Sequence, residues 1–200
     1  GTPAGRSEPD AMTMSSDRAR PVGPPSPRRP ARGVPVWCVA GLWFLGAALL
    51  YAASGARGLI WADSSKLTFY ALAGYFPSLN PGDHAGWTVV AWAWLRLFGG
   101  DPVVAAHRLS AACGALLPAL AAAWFLRRGE PPARAHGAAA ILLVGQPLWW
   151  AAAVAETYAL ALAATLAGAL TVESGESRRR CLVGGLFWGL AAAFSMVRVS

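Results

Sequence analysis

Charged side chains are scarce in this chain. Only 14% of its 200 residues are Asp, Glu, Lys or Arg, whereas 56% are hydrophobic and the mean hydropathy is +0.42. A soluble domain needs more charge than this to cover its surface. Several stretches instead reach the length of about 20 apolar residues that crosses a bilayer. The composition therefore predicts an all-α membrane protein, a polytopic helical bundle that uses lipid as its solvent.

Cysteine is also rare, and the motifs of several enzyme classes are missing. Cys38 and Cys113 lie in apolar runs, and Cys181 lies beside an arginine cluster. Three cysteines with this spacing form neither a disulfide framework nor a metal site. The chain has no P-loop, no HExxH motif and no Gly-rich dinucleotide fingerprint. These absences argue against secreted disulfide scaffolds, zinc proteases and nucleotide-binding folds.

The net charge of +7 is unevenly distributed. The arginines lie before the first apolar run and in two later loops, and basic residues of this kind mark cytoplasmic segments. No basic face is interleaved with aromatic residues in a soluble domain, so we do not expect nucleic acid as a partner. The arginines concerned are Arg6, Arg18, Arg20, Arg28, Arg29, Arg32, Arg127, Arg128, Arg134, Arg178, Arg179 and Arg180. We expect a multi-pass protein of the plasma membrane whose residues 1–33 form a disordered cytoplasmic arm.

The apolar stretches predict a transmembrane module over residues 34–200. Asp101 and Pro102 form a good helix start, and Gln146-Pro147 and Glu156 interrupt one long apolar stretch. We therefore expect the third and fourth helices to meet in a tight outer turn near Glu156. The predicted spanning helices are at about 34–54, 102–126, 136–152, 157–172 and 182–200. Because the chain starts at Gly1 and stops inside an apolar run, we expect a fragment truncated at its C-terminus.

Residues 56–101 differ from the rest of the module and predict an outer loop with interfacial helices. Two amphipathic pieces lie at about 64–76 and 86–98. The second piece is only about 20 Å long, which is too short for a bilayer core of about 30 Å. If it crossed the membrane, both arginine loops would lie outside, against the positive-inside rule.

Two carboxylates share the predicted outer side. Asp63 follows the first helix, and Glu156 lies between the third and fourth, while Arg108 and Arg198 lie near the same side. Charged groups at membrane depth are costly and often functional. Each also has a structural explanation, because Asp63 can cap a helix, Glu156 can complement a helix dipole and Arg108 can reach the headgroups.

Four short motifs resemble the N-terminal module of the GT-C glycosyltransferases, and most of all the bacterial protein O-mannosyltransferase-like membrane family. They are Trp61-Ala62-Asp63-Ser64-Ser65, His84 before an aromatic amphipathic helix, Arg108-Leu109-Ser110, and Ala155-Glu156-Thr157-Tyr158-Ala159-Leu160. The family shows Asp-Ser-Gly, His-Pro-Pro-Gly and Glu-x-Tyr-x-Leu motifs at such places. This chain departs from them at Ser65, which replaces the glycine, and at residues 84–87, which lack both prolines. Residues 194–198 also lack the expected histidine.

This resemblance implies a transferase that acts outside the cytoplasm. A polyprenyl-phosphate sugar donor would give its sugar, with inversion, to a protein hydroxyl or a glycan. Asp63 would be the catalytic base, and Glu156 would orient the acceptor or assist the base. The substrate-binding residues implied are His84, Arg108, Tyr158, Arg198 and Trp87. No cofactor is implied, although two carboxylates are compatible with a divalent metal.

Two other functions remain open at this point. A transporter or flippase subunit would also use intramembrane charges, often with repeated halves, but the chain shows no internal repeat. A transporter tends to place these charges near the midplane, whereas the residues here are predicted at the outer rim. The third alternative is a non-catalytic multi-spanning membrane protein.

Overall fold

The computed structural model describes residues 1, 34–55, 58, 63–75, 84–173 and 177–194, with the side chain of Asp63 excluded. Contacts divide the chain into two units, Gly1–Ala31 and Arg32–Ser200, and every helix described belongs to the second. These helices are α1 (Val36–Ser54), α2 (Asp63–Ala73), α3 (Ala85–Phe98), α4 (Pro102–Arg127), α5 (Pro132–Val144), α6 (Gln146–Ala153), α7 (Tyr158–Glu173) and α8 (Arg178–Phe194). The described residues contain no strand, which confirms the all-α prediction. The predicted arm at 1–33 lies outside them, apart from Gly1.

Two of the described helices, α1 and α4, are long and apolar enough to cross a membrane. A third crossing is added if α6 and α7, which bend by 115° at their junction, are counted as one broken span. Helix α1 has a mean hydropathy of 1.9, yet only 17% of its most apolar window is buried within the protein. Its free surface carries Leu42, Leu45 and Leu49 and requires an apolar environment.

Helix α4 is the central helix of the unit, and its course defines two ends. Ala40, near the start of α1, packs against Ala119 and Ala123, near the end of α4. Tyr51, near the end of α1, packs instead against Ala111 and Ala115. The two helices are therefore antiparallel. Side chains on the buried faces of α4 are mostly alanine, so its neighbours approach closely, as small residues allow in membrane bundles.

Helices α5 and α6 together run back along α4, in the direction of α1. His136 accepts a hydrogen bond of 3.0 Å from the Trp43 indole, and Ala152 packs so closely on Gly114 that a Cβ there would lie 2.4 Å from the alanine Cβ. The helix predicted at about 136–152 is divided into α5 and α6, because Gly145 is extended (φ −61°, ψ 119°) directly before the Gln146-Pro147 interruption. Pro147 explains the break, since it has no N–H to donate to the carbonyl four residues earlier.

Helices α7 and α8 form an antiparallel hairpin with a close crossing. A Cβ on Gly184 would lie 2.3 Å from Val172 Cγ2, and one on Gly168 would lie 2.6 Å from Trp188 Nε1. Helix α8 begins at Arg178 rather than at 182, because the Ser177 hydroxyl accepts a 3.3 Å hydrogen bond from the Arg180 N–H. The arginine cluster expected in a loop therefore forms the first turn of a helix. Residues 195–200, the end of the predicted fifth helix, lie outside the described part.

Helices α2 and α3 pack over the end of the unit at which α4 begins. Leu67 of α2 and Trp87 of α3 share one apolar cluster with Leu109 of α4 and with Ala155 and Ala159 around the start of α7. These helices occupy the two amphipathic pieces expected at 64–76 and 86–98. Their position relative to a bilayer surface stays a prediction.

We expect the Tyr51 hydroxyl to hold the α5–α6 break together. It donates a 2.9 Å hydrogen bond to the carbonyl of Leu143, which is the carbonyl that Pro147 leaves without a helical partner. A Tyr51→Phe substitution should lower the free energy of unfolding in detergent by about 1–3 kcal/mol, since a buried acceptor loses its donor.

A double-mutant cycle with Pro147→Ala tests this assignment. Pro147→Ala restores the N–H, so the cost of Tyr51→Phe should become smaller in that background. An equal cost with and without the proline would show that Tyr51 stabilises the protein through packing alone.

Candidate functional site

The two ends of the helical unit carry different residues. At one end, which we call the Glu156 end, lie the turn between α6 and α7, the starts of α3 and α4, and the last residues of α1 and α8. At the other, the arginine end, the Arg127 guanidinium lies over the Trp37 ring and Arg128 forms an ion pair with Glu173. The polar residues singled out by the sequence and described by the structure belong to the Glu156 end.

Ser110 fixes the turn that carries Glu156. The backbone N–H of Glu156 donates to Ser110 Oγ at 3.2 Å, and the same hydroxyl lies 3.5 Å from the Glu156 carbonyl oxygen. Ser110 is fully buried on α4, and Glu156 is half-buried just before α7. The carboxylate thus stands at the N-terminal end of a helix, where the dipole favours negative charge.

His84 is held at the junction of α3 and α8. Its Nδ1 lies 2.9 Å from the carbonyl oxygen of Phe194, so this nitrogen carries the proton. Gly86 permits the contact, because a Cβ there would lie 2.8 Å from the Phe194 ring. In the neutral ring Nε2 is then the nitrogen that can accept a hydrogen bond.

A cleft of about 360 Å³ opens between the end of α1 and the start of α4. Its lining comprises Tyr51, Ala52, Ala53, Gly55, Val104, His107 and Arg108. Arg108 is exposed, whereas His107 is buried with 5% of its surface accessible. The sequence alone makes His107 a weak candidate, because a lone histidine is more often a polar loop or interface residue. The sequence feature that could have identified His107 is its position one turn before Ser110, on a helix made almost wholly of small and apolar residues.

The structure does not bring Arg108 and Glu156 onto one face of α4. Residues on a helix are separated by about 100° each, so Arg108 and Ser110, which contacts Glu156, are about 200° apart. Arg108 faces the cleft beside α1, whereas Ser110 faces the α6–α7 turn. His107 is about 60° from Ser110 around the helix and also lines the cleft. It therefore lies on the α4 surface between Arg108 and Ser110.

Two of the other substrate-binding candidates have different surroundings. Trp87 is only 1% exposed and packs in the core between α2, α3 and α4. It therefore has no free ring face for a sugar or a lipid and acts as a packing residue. Tyr158, by contrast, is 60% exposed at the first position of α7, two residues after Glu156.

Asp63 is the first residue of α2, but its side chain lies outside the described part, as does the whole of Arg198. Within the described residues, no group of three His, Cys, Asp or Glu side chains is placed to hold a metal ion.

Buried hydroxyls without hydrogen-bond partners are a further feature of the Glu156 end. Ser64 and Thr68 lie on the face of α2 that also carries Leu67, and Thr157 follows Glu156. All three are at most 5% exposed, and none of their hydroxyl oxygens has a hydrogen-bond partner among the residues that the structure describes. A buried hydroxyl of this kind costs about 1–3 kcal/mol, so it calls for a bound water or a polar ligand.

No family model, curated protein or solved structure matches this chain.

We expect Ser110→Ala to loosen the Glu156 turn. The substitution leaves the Glu156 N–H without its acceptor and should lower the free energy of unfolding by about 1–3 kcal/mol. It should also raise the rate at which a cysteine at position 158 is labelled in the folded protein. Thr165→Ala is the matched control, because the Thr165 hydroxyl only donates to a carbonyl of its own helix. Equal labelling rates in wild type and Ser110→Ala would contradict the role given to Ser110.

Proposed function

We propose that this chain is a GT-C-like membrane glycosyltransferase module that transfers a sugar from a polyprenyl-phosphate donor to a protein hydroxyl or a glycan. The observation that carries the proposal is the sorting of polar groups between the two ends. Glu156, His84, Arg108 and the first residue of α2 belong to one end, and the arginine clusters belong to the other.

The membrane part of this proposal is supported by the course of the helices. Helices α1, α4, α5 with α6, α7 and α8 pass between the two ends in alternating directions. Small residues lie between the helices, whereas Leu182 and Leu186 on α8, like the leucines of α1, are exposed. In the plasma membrane, the positive-inside rule would put the arginine end in the cytoplasm and the Glu156 end outside.

The chemistry needs a base, since a hydroxyl is a poor nucleophile. In this mechanism the acceptor hydroxyl gives its proton to the carboxylate of Asp63 as its oxygen bonds to the anomeric carbon. The bond from that carbon to the phosphate oxygen breaks, and the phosphate leaves with the electron pair. Glu156 orients the acceptor, together with the exposed Tyr158 ring and the Nε2 atom of His84.

Arg108 in the cleft is suited to the donor phosphate, because guanidinium N–H groups match phosphate oxygens. Gly55 lines the same cleft, and residues 56–62 alone join it to Asp63. In this proposal the Asp63 base acts beside Arg108 in the cleft, and Glu156 acts on the acceptor from the face of α4 that carries Ser110. Arg198 would contribute a second guanidinium to the phosphate.

One observation favours a transporter as the second candidate. The α5–α6 pair is a helix broken at Gly145, and transporters commonly build their binding sites from broken helices. The break lies beside Tyr51, which lines the same cleft as Arg108, so a transporter would hold its solute in that cleft. A transporter would move a solute without forming a glycosidic bond.

Sidedness can be measured by cysteine labelling in intact cells. Cys38, Cys113 and Cys181 are replaced, and single cysteines are placed at the exposed position of Tyr158 and at Glu130 of the arginine end. A membrane-impermeant thiol reagent should label position 158 and leave position 130 unlabelled until the cells are permeabilised. Labelling of position 130 alone in intact cells would show the opposite topology and would contradict a site outside the cytoplasm.

Sugar transfer can be measured with a labelled polyprenyl-phosphate sugar in membranes that contain the protein. Asp63→Asn should lower the rate by about 100-fold or more, as expected for loss of a general base. Glu156→Gln should lower it to a smaller extent, because Glu156 acts on orientation. Glu130→Gln, at the arginine end, is the matched control and should leave the rate unchanged. Full activity in Asp63→Asn would refute the assignment of the base.

A further inference from the structure

A second pocket lies at the arginine end, far along α4 from the cleft described above. It has a volume of about 280 Å³ and lies between the last turns of α4 and α7. Its lining consists of Trp124, Arg127, Arg128, Leu170 and Glu173. Two guanidinium groups, one carboxylate and two apolar side chains thus share a small concave surface.

Both guanidinium groups are stacked on indole rings. Arg128 lies over Trp124 with 5.2 Å between the guanidinium carbon and the ring centroid, and Arg127 lies over Trp37 at 5.9 Å. A guanidinium that lies over an aromatic ring can still donate from its remaining N–H groups to an oxygen anion. The two arginines are therefore oriented before any ligand arrives.

Glu173 fixes the pocket without neutralising it. Its carboxylate accepts hydrogen bonds from Arg128 Nε and from the indole N–H of Trp124. Two arginines against one glutamate leave a formal charge of +1 within the pocket. Nearby, Arg134 is already paired with Glu130 at 2.8 Å, whereas Arg127 has no ion pair within the part of the chain that is described.

We propose that this pocket binds the phosphate group of an anionic phospholipid. Arg127 and Arg128 would hold the phosphate oxygens, as basic pockets between membrane helices do at the cytoplasmic side. The apolar surroundings favour a lipid over a free phosphate ion. Val34 and Trp37 of the same end are more than 60% exposed, so acyl chains would find apolar surface directly beside the pocket.

This inference requires that α1, α4 and α7 lie in a membrane, but it does not require glycosyl transfer. Lipid binding is measured without sugar donor or acceptor, so it succeeds or fails independently of the activity proposed above.

Native mass spectrometry of the detergent-purified chain measures the binding directly. The probes are dihexanoyl phosphatidylglycerol, dihexanoyl phosphatidylcholine and inorganic phosphate. Wild type should bind phosphatidylglycerol more tightly than the other two. Arg127→Gln should raise the Kd for phosphatidylglycerol about fivefold, the effect expected for one arginine at an anionic lipid surface. Arg179→Gln removes the same charge at the same end but outside the pocket, and should change this Kd less than about twofold.

Glu173→Gln provides a second variant in case Arg127→Gln does not fold. Its amide oxygen still accepts a hydrogen bond, but the pocket gains one positive charge, so the Kd for phosphatidylglycerol should fall. Equal effects of Arg127→Gln and Arg179→Gln would show only a general attraction to positive charge and overturn the proposal. Binding of phosphatidylcholine or inorganic phosphate as tight as that of phosphatidylglycerol would also overturn it.

Discussion

The close approach of helices to α4 is the constraint on which the rest of this structure depends. Its buried faces carry alanine, glycine, serine and cysteine, with few larger side chains. Contact between Gly114 and Ala152 brings α6 against α4 so closely that there is no room for a Cβ on the glycine. Where lipid is as apolar as leucine, such packing rather than hydrophobic burial holds helices together. The same closeness lets a short serine side chain on α4 reach the backbone of Glu156.

Backbone polar groups in an apolar surrounding must find partners, and this requirement explains the roles of the Tyr51 and Ser110 hydroxyls. Pro147 frees the carbonyl of Leu143, and the Tyr51 hydroxyl supplies the missing donor. The turn at Glu156 leaves a backbone N–H without a helical acceptor, and Ser110 supplies one. A broken helix and a tight turn are thus each held by one hydroxyl from a neighbouring helix.

Sequence periodicity predicts the order of the helices and most of their bounds, because long apolar runs and the Asp101-Pro102 helix start are local signals. It was insufficient wherever the outcome depended on a neighbouring helix. The sequence pattern predicts Trp87 as an interfacial aromatic residue, yet Trp87 is buried in the apolar cluster between α2, α3 and α4. The sequence places Arg108 and Glu156 on one side of the membrane, but only the packing of α4 shows that they lie on different faces. Helix packing also places His107 in the lining of the cleft, which its position in the sequence does not reveal.

The two ends of the unit differ in how their acidic residues and arginines are arranged around α4. At the arginine end, Glu173 accepts hydrogen bonds from Arg128 and Trp124, so the carboxylate orients a cation and an indole. At the Glu156 end, the backbone of the glutamate is fixed by Ser110 on one face of α4, while Arg108 lines a cleft on another. At the arginine end the acid therefore orients a neighbouring cation and indole, whereas at the Glu156 end α4 itself stands between Arg108 and the backbone of Glu156.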